Sequence, residues 1–492
     1  MASRSRPINW KSRGVKSDWV IQRSLGPARE QLLYRHLRTL SCTQKVLQGK
    51  LTPEQAERVG AALTQATTAA WVAGYQTYLE AHDTATPTIE VEGEVYRWKM
   101  ASPKEFLTVG GPMVLSRSLY QTDAGGECYV PLDVAWGMVG QFATVEVREA
   151  VLFAVAQLTP REVEALLKKC APFHPSAAAI HAMTQGMGQW LEAHPELPEE
   201  IRGEEESPQG TRVLVGSLDG VNVLLAEPGP KRGRPAERPQ GAAEAGEASP
   251  TCYKNAMVGS VSWYGEVPEG EVCPERLASR YVSRMPEDGA GTLKAEFERE
   301  LADAEAKLER RVPKILLCDG ARSLWKYADA KAQYDDYERL VDFYHATEHL
   351  SKAAEALFGK GSEKGARWYE KYRRRLQRNR HAVTGLLRSI DYYSQQRKLT
   401  SSRRKALATE RTFFENNQDR MDYRRFRLRG WPIGSGPVEA AGKTLVKVRM
   451  CRSGMRWSRP GGQYVLSLRT YLKSERWDTM WQRYKALAQT AG

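Results

Sequence analysis

Two apolar runs of strand type, VLVGSLDG and KILLCDG, place their aspartates 100 residues apart, and each run ends on Asp-Gly. With stretches of helical spacing such as GTLKAEFERELADAEAKLERR between such runs, the middle of the chain is restricted to a mixed sheet flanked by helices. RVLVGSLDGVNVLLA reads as strand, turn and strand, with Asp-Gly as the turn. YKNAMVGSVSWYG, RVPKILLCD and ERLVDFY supply further strands. Asp219 and Asp319 therefore fall at strand ends. A third acid, Glu439 in PIGSGPVEAAGKTL, opens a helix: Ser435 or Gly436 can cap it, Pro437 suits the first helical position, and Glu439 lies in the first turn.

Acids at strand ends with a third on a distant helix can converge on two divalent cations, about 3.5–4 Å apart, for attack on a phosphodiester. An all-oxygen donor set suits Mg²⁺, with Mn²⁺ as a substitute. An Asp-Gly pair alone is more often a turn, and capping alone accounts for a glutamate at that place. The catalytic reading rests on the three together. A fourth station, Asp342 and His345 in LVDFYHATEHL, reads either as groups adjacent to the site or as a helix-capping aspartate with a satisfied histidine.

Charge points to the partner. The chain carries a net charge of +14, yet Gly361 to Thr470 alone holds 27 Lys and Arg against 8 Asp and Glu. The excess thus surrounds Glu439, where a phosphate backbone would lie. Lys443 and Lys447 follow Glu439 at i+4 and i+8, then Arg449, Arg452 and Arg456, a phosphate track or else a solvated helix face. In the Pro- and Gly-rich segment 226–250, KRGRP holds Arg232 and Arg234 in the core of an AT-hook, which enters a minor groove; the plainer reading is a solvated basic loop. Trp368, Tyr369, Tyr372, Tyr392, Tyr393, Phe413, Phe414 and Tyr423 can stack on bases, but as helix residues most are expected in a core.

The amino-terminal part predicts an α-hairpin over 27–82, a small β-ribbon over 88–131, and two helices within 159–194 that form either a helix-turn-helix or an ordinary pair. The acidic segment 196–209 reads as a linker. Seven scattered cysteines without a C-x-x-C pair argue for reduced thiols and against a zinc site, and no run of about 18 apolar residues offers a membrane span. A cytoplasmic, nucleoid-associated protein is expected.

SLDGV, CDGARSLW, DFYHATEHL and GSGPVEAAGKTLVKVRMCRSGMRW, in that order, resemble the DDE transposases of bacterial insertion sequences, in particular the ISKra group, relatives of the Mutator-like transposases. The resemblance spans about Arg212 to Leu468. It implies a multidomain α+β protein with a ribonuclease H-like α/β core interrupted by a helical insertion. The strand of Asp319 would lie beside that of Asp219, and the strand of Asp342 one place further out. It implies Asp219, Asp319 and Glu439 as catalytic metal ligands, with Asp342 and His345 adjacent to the active site. It also implies binding to terminal inverted repeats and target DNA, and an oligomer that pairs two ends. Where that resemblance implies paired cysteines in the β-ribbon, this sequence has Cys128 alone, so no zinc ribbon is expected.

The domains expected are 1–205 for end recognition, 211–345 for the first part of the core, 346–430 for a basic helical insertion, and 431–492 for the remainder. A DNA-binding protein that has lost catalysis, or a structure-specific nuclease of the same fold, are the alternatives.

Overall fold

Thr52 accepts a hydrogen bond from the Gln55 amide and Pro53 takes the first turn, so the start read from the sequence opens the helix Pro53–Ala81. The computed structural model describes residues 52–226, 253–396 and 398–490. The first arm of the expected α-hairpin and the segment holding Arg232 and Arg234 lie outside the described residues. Two compact units divide the chain.

The first unit comprises Met1–Val151, Arg161–Ala179 and Tyr484–Gly492. Its sheet is the expected β-ribbon, three antiparallel strands in the order β1 (Thr88–Val91), β2 (Glu94–Thr108), β3 (Gly111–Thr122). Alternate residues of β3 turn inward, and Met113 and Leu115 join Phe106, Leu79, Leu132 and Met138 in a small core. Asp133, buried beside it, pairs with Arg117.

The second unit, Leu152–Pro160 and Ile180–Arg483, holds the mixed sheet. Strands β4 (Val213–Leu224), β5 (Tyr253–Tyr264), β6 (Arg276–Arg284), β7 (Lys314–Cys318) and β8 (Glu338–Val341) run in the order β6-β5-β4-β7-β8. β4, β5 and β6 pair antiparallel; β4, β7 and β8 pair parallel. The strand leading to Asp319 therefore lies beside that of Asp219, and the strand leading to Asp342 lies beyond it, the order that the resemblance implies.

VLVGSLDGVNVL departs from the strand-turn-strand expectation. It is one 12-residue strand, paired with β5 along its whole length, and Asp219-Gly220 sits inside it. The burial pattern explains how one strand can look like two. Val213 to Leu218 are buried on both faces; from Asp219 onward burial alternates. The first half packs with β7, β8 and the helix Gly291–Ala306 in one core, through Phe297 and Leu301. The second half gives Val221 and Val223, with Leu225 just beyond it, to a separate core formed with the helical turns that follow Glu439. Asp219 marks the change, three residues past the last pairing of β4 with β7 at Gly216 and Leu316.

Between β8 and Glu439 run the helices Phe343–Phe358, Glu363–Arg378, Ala382–Gln396, Ser401–Asn417 and Tyr423–Leu428. Trp368, Tyr372, Phe414 and Tyr423 are buried here, while Tyr369, Tyr393 and Phe413 pack against the same core. Tyr392 is the exposed one of the eight aromatics, 58 % accessible. Most of these rings are thus core, as expected. Among the described residues no helix is long and apolar enough to cross a membrane.

The segment expected as a linker is ordered instead. Leu197–Glu204 is a helix with Leu197 and Ile201 buried. Glu205, just after it, accepts from Arg476 at 2.6 and 2.8 Å and from Arg280 at 3.2 Å. Paired charges rather than an apolar stripe fix this piece, which is why its polarity reads as solvent-facing. Burial raises the Glu205 carboxyl, but Arg476 and Arg280 outweigh it and hold the group below the ordinary 4.5. A depressed carboxyl contributes stability above its unfolded value and loses it as pH falls through the folded one. Urea unfolding of the wild type against Glu205→Gln is expected to differ by a constant amount above pH 5, the gap closing only as pH drops below about 4.5.

Candidate active site

Asp219 reaches the site from β4, half-buried, with Oδ1 accepting from the Gly220 amide at 2.7 Å. Asp319 directly follows β7, and its Oδ1 accepts from the Ala321 amide at 3.0 Å, which fixes the turn into the helix Arg322–Asp329. Glu439 lies in the first turn of Gly436–Ala441, behind Pro437 as expected, although Ser435 makes no side-chain cap there. Instead the Ser435 amide donates to Asp342 Oδ2.

The Glu439 helix comes close to β4 because residue 442 has no side chain. A Cβ on Gly442 would stand 3.1 Å from Val221 Cγ2 and 3.4 Å from Asp219 Oδ2. From Gly442 to Lys447 the turns are π-helical, and buried and exposed residues alternate in pairs through Met450. Lys443 and Lys447 face out. Their charges bear on the acids: Lys443 lowers Glu439 and Lys447 lowers Asp219.

The acids also act on one another. Burial pushes the Asp219 carboxyl above its usual range, and Asp319 adds to the rise. Burial does the same to Glu439, reinforced by Asp342 and by Asp219. Among the described residues no three His, Cys, Asp or Glu side chains are gathered closely enough to hold a metal ion. The three acids are therefore neighbours without forming a closed ligand set. Their chemistry suits a hard divalent cation: oxygen donors only, half-buried, mutually repelling without a counter-charge, with Gly442 leaving a cradle beside Asp219 that a Cβ would fill.

Asp342 is 1 % exposed and caps Phe343–Phe358, its Oδ1 accepting from the His345 amide at 2.7 Å. Its own amide donates to Cys318 O at 2.9 Å, so it joins the end of β7, the long helix and the approach to Glu439. The capping alternative thus describes its hydrogen bonds. Arg449 is corrected: it is 2 % exposed, donates to Val155 O at 3.3 Å and lies over Trp457, so it is a core residue rather than a DNA contact. The π-helical turns move the register that would have carried it outward. Arg452 is partly buried with Nε on Val448 O at 3.1 Å, and Arg456 is exposed.

Sequence reasoning missed His349 and Glu410, and it read Phe413 only as one of the stacking or core aromatics. His349 Nδ1 is 2.5 Å from Glu410 Oε2 and its Nε2 is 3.3 Å from His345 Nε2. The Phe413 ring stacks on His349 with centroids 3.6 Å apart. The signal was the H-x-x-x-H spacing of YHATEHL, which sets both rings on one helix face. Phe413 also covers Gly320, where an added Cβ would fall 2.1 Å from its Cε2. Gly320→Ala is expected to displace that ring and cost about 1–3 kcal/mol, read as a lower urea midpoint; Gly436→Ala, where a Cβ meets open space, serves as the control.

No family model matches the chain, and no curated protein matches it. Among solved structures it is similar to the Drosophila P element transposase strand transfer complex, at 11 % identity and a TM-score of 0.24, over 70 % of this chain and 80 % of that one. A likeness of that size carries no argument about fold or activity.

Proposed function

We propose that this chain is a DDE transposase that binds the ends of an insertion sequence and catalyses Mg²⁺-dependent strand cleavage and strand transfer. One observation carries the reading: Asp219 stands on β4, Asp319 directly follows the neighbouring parallel strand β7, and Gly442 brings the Glu439 helix against the same stretch of β4. The strand order β6-β5-β4-β7-β8, antiparallel on one side and parallel on the other, supports a ribonuclease H-like core interrupted by the helices of 343–428.

Asp219, Asp319 and Glu439 would hold the metal. Bound there, Mg²⁺ would supply the activation of an oxygen nucleophile and the stabilisation of the departing oxygen. The chain's own groups do the rest. Lys443 and Lys447, exposed beside the acids, and Arg456 beyond them, take the phosphates on either side of the reacting one. Asp342 keeps Glu439 and the end of β7 in register through its bonds to Ser435 and Cys318. The partners are double-stranded terminal inverted repeats and target DNA, and two protomers or more are needed to pair the ends. A cytoplasmic, nucleoid-associated location follows from the substrate.

The test is nicking and joining of duplex DNA carrying the sequences that flank this gene, with Mg²⁺ and then Mn²⁺. Cleavage followed by joining is expected. Cutting of branched DNA without joining would mean a structure-specific nuclease, and tight binding with no cleavage would mean a DNA-binding protein without turnover.

A further inference from the structure

The helix Glu363–Arg378 buries one face and offers another that no acid of the chain answers. Trp368, Tyr372 and Leu376, four residues apart, are buried. Lys364, Arg367, Lys371, Arg374, Arg375 and Arg378 are all exposed. At about 100° and about 1.5 Å per residue they fall within about 100° of one another, in a row about 21 Å long. The acids of this helix stand at its margin: Glu363 lies 3.6 Å from Arg367, and Glu370 lies 2.9 Å from Arg374. Among the described residues Lys364, Lys371, Arg375 and Arg378 make no ion pair. Lys371 and Arg375 lie over the Tyr372 ring at 5.5 and 5.4 Å, so their stems rest on the helix and their charges stay in water. Such a row costs the fold. Arg367 and Lys371, Lys371 and Arg375, and Arg374 and Arg378 are like charges at i+4, a spacing that weakens a helix. Solubility alone is served as well by mixed signs. A polyanion relieves the repulsion, and phosphates recurring about every 3.4 Å along one strand place about six beside a row of this length.

We propose that this row is a docking face for the backbone of duplex DNA, held without regard to sequence; this rests on the DNA-binding part of the reading above and not on its chemistry. The fold connects the row to the acids. Only the four residues 359–362 separate Glu363–Arg378 from Phe343–Phe358, and Phe358 meets Trp368 at 6.0 Å. A connection of that length folds two helices antiparallel. Glu363–Arg378 also packs on Tyr423–Leu428, whose Tyr423 ring meets Phe343 at 5.1 Å. The Arg378 end of the row therefore runs back toward Asp342, which caps Phe343–Phe358. DNA lying along the row is led toward the acids. Lys443, Lys447 and Arg456 take the phosphates beside the reacting one, and the row takes a stretch further along the same duplex.

The test compares full-length wild type with a variant carrying Lys364→Gln, Lys371→Gln, Arg375→Gln and Arg378→Gln. Binding to a mixed-sequence DNA duplex of about 30 bp is followed by anisotropy in potassium chloride without divalent cations. Each phosphate contact adds about 0.9 to the slope of log affinity against log salt, so the variant is expected to lose about 3 to 4 from that slope. Its fall in affinity between about 50 and 200 mM salt is then about 100-fold smaller than that of the wild type. Arg276, Arg299, Arg311 and Lys473 are also exposed and make no ion pair among the described residues, but they stand on separate elements. The same change of charge there is expected to lower the slope by less than about 1. The urea midpoint of the row variant is expected to be no lower than that of the wild type, because like-charge pairs are removed. If the wild type binds and the row variant keeps its slope, or both variants lose it equally, the proposal falls and the transposase reading stands. A lost slope with a lower midpoint also overturns it, since the helix and not its charge would be missing. If the wild type binds no duplex even at low salt, the DNA-binding reading falls and the docking face with it.

Discussion

Asp219→Asn is expected to abolish strand cleavage, by at least about 10³-fold, the order lost when one preorganised electrostatic group is removed from such a site. The side chain keeps its shape, so Asn can still accept from the Gly220 amide, and β4 remains paired with β5 along its full length. What is lost is the negative charge that stands beside Asp319 and Lys447. Binding of end DNA is expected to stay within about twofold, because phosphates are held by Lys and Arg rather than by the acids, and its salt dependence should be unchanged. Filter binding and single-turnover cleavage on the same preparation separate the two quantities. Loss of binding together with cleavage would mean that Asp219 is a structural residue.

Arg476→Ala is expected to produce the largest loss of stability, about 3–5 kcal/mol, because it removes the guanidinium that holds two acids together and leaves Glu205 with Arg280 and buried Glu300 with Arg202 alone. Arg476 is 6 % exposed. It donates to Glu300 at 2.6 and 3.0 Å and to Glu205 at 2.6 and 2.8 Å. Burial works against its charge, yet the two acids more than offset that and hold the guanidinium above its ordinary value. Glu300, 2 % exposed, would be left with Arg202 at 3.7 Å. Arg476→Lys is expected to recover little, since one ammonium cannot reproduce a fork that serves two carboxylates. The urea midpoint reads this directly. A midpoint unchanged in both variants would mean that the network contributes nothing to folding.

The strands of the second unit were legible because four of the five sit in buried apolar runs, and the places of Asp319 and Asp342 at the ends of β7 and β8 followed from those runs stopping. β4 was only half legible. Asp-Gly reads as a turn by local propensity, but twelve residues of pairing with β5 override it. The helix start at Pro437 was read from local cues, which operate within one turn. The π-helical turns after it were not, because they depend on packing against Val221 and Val223, and with them went the outward direction of Arg449. Polar pairs escaped for a related reason. His349 and Glu410 are 61 residues apart, and Glu205 and Arg476 are 271 apart. Nothing in either neighbourhood names the partner, whereas an apolar stripe announces its own burial.

The central claim is that Asp219, Asp319 and Glu439 share one divalent cation site, and iron-directed cleavage of the chain tests it without any knowledge of the DNA ends. Fe²⁺ in place of Mg²⁺, with ascorbate and peroxide, cuts backbone close to where it is bound. The account predicts cuts clustered near residues 219, 319 and 439, suppressed by excess Mg²⁺ and absent in Asp219→Asn. Cuts elsewhere, or the same pattern in the variant, would contradict it.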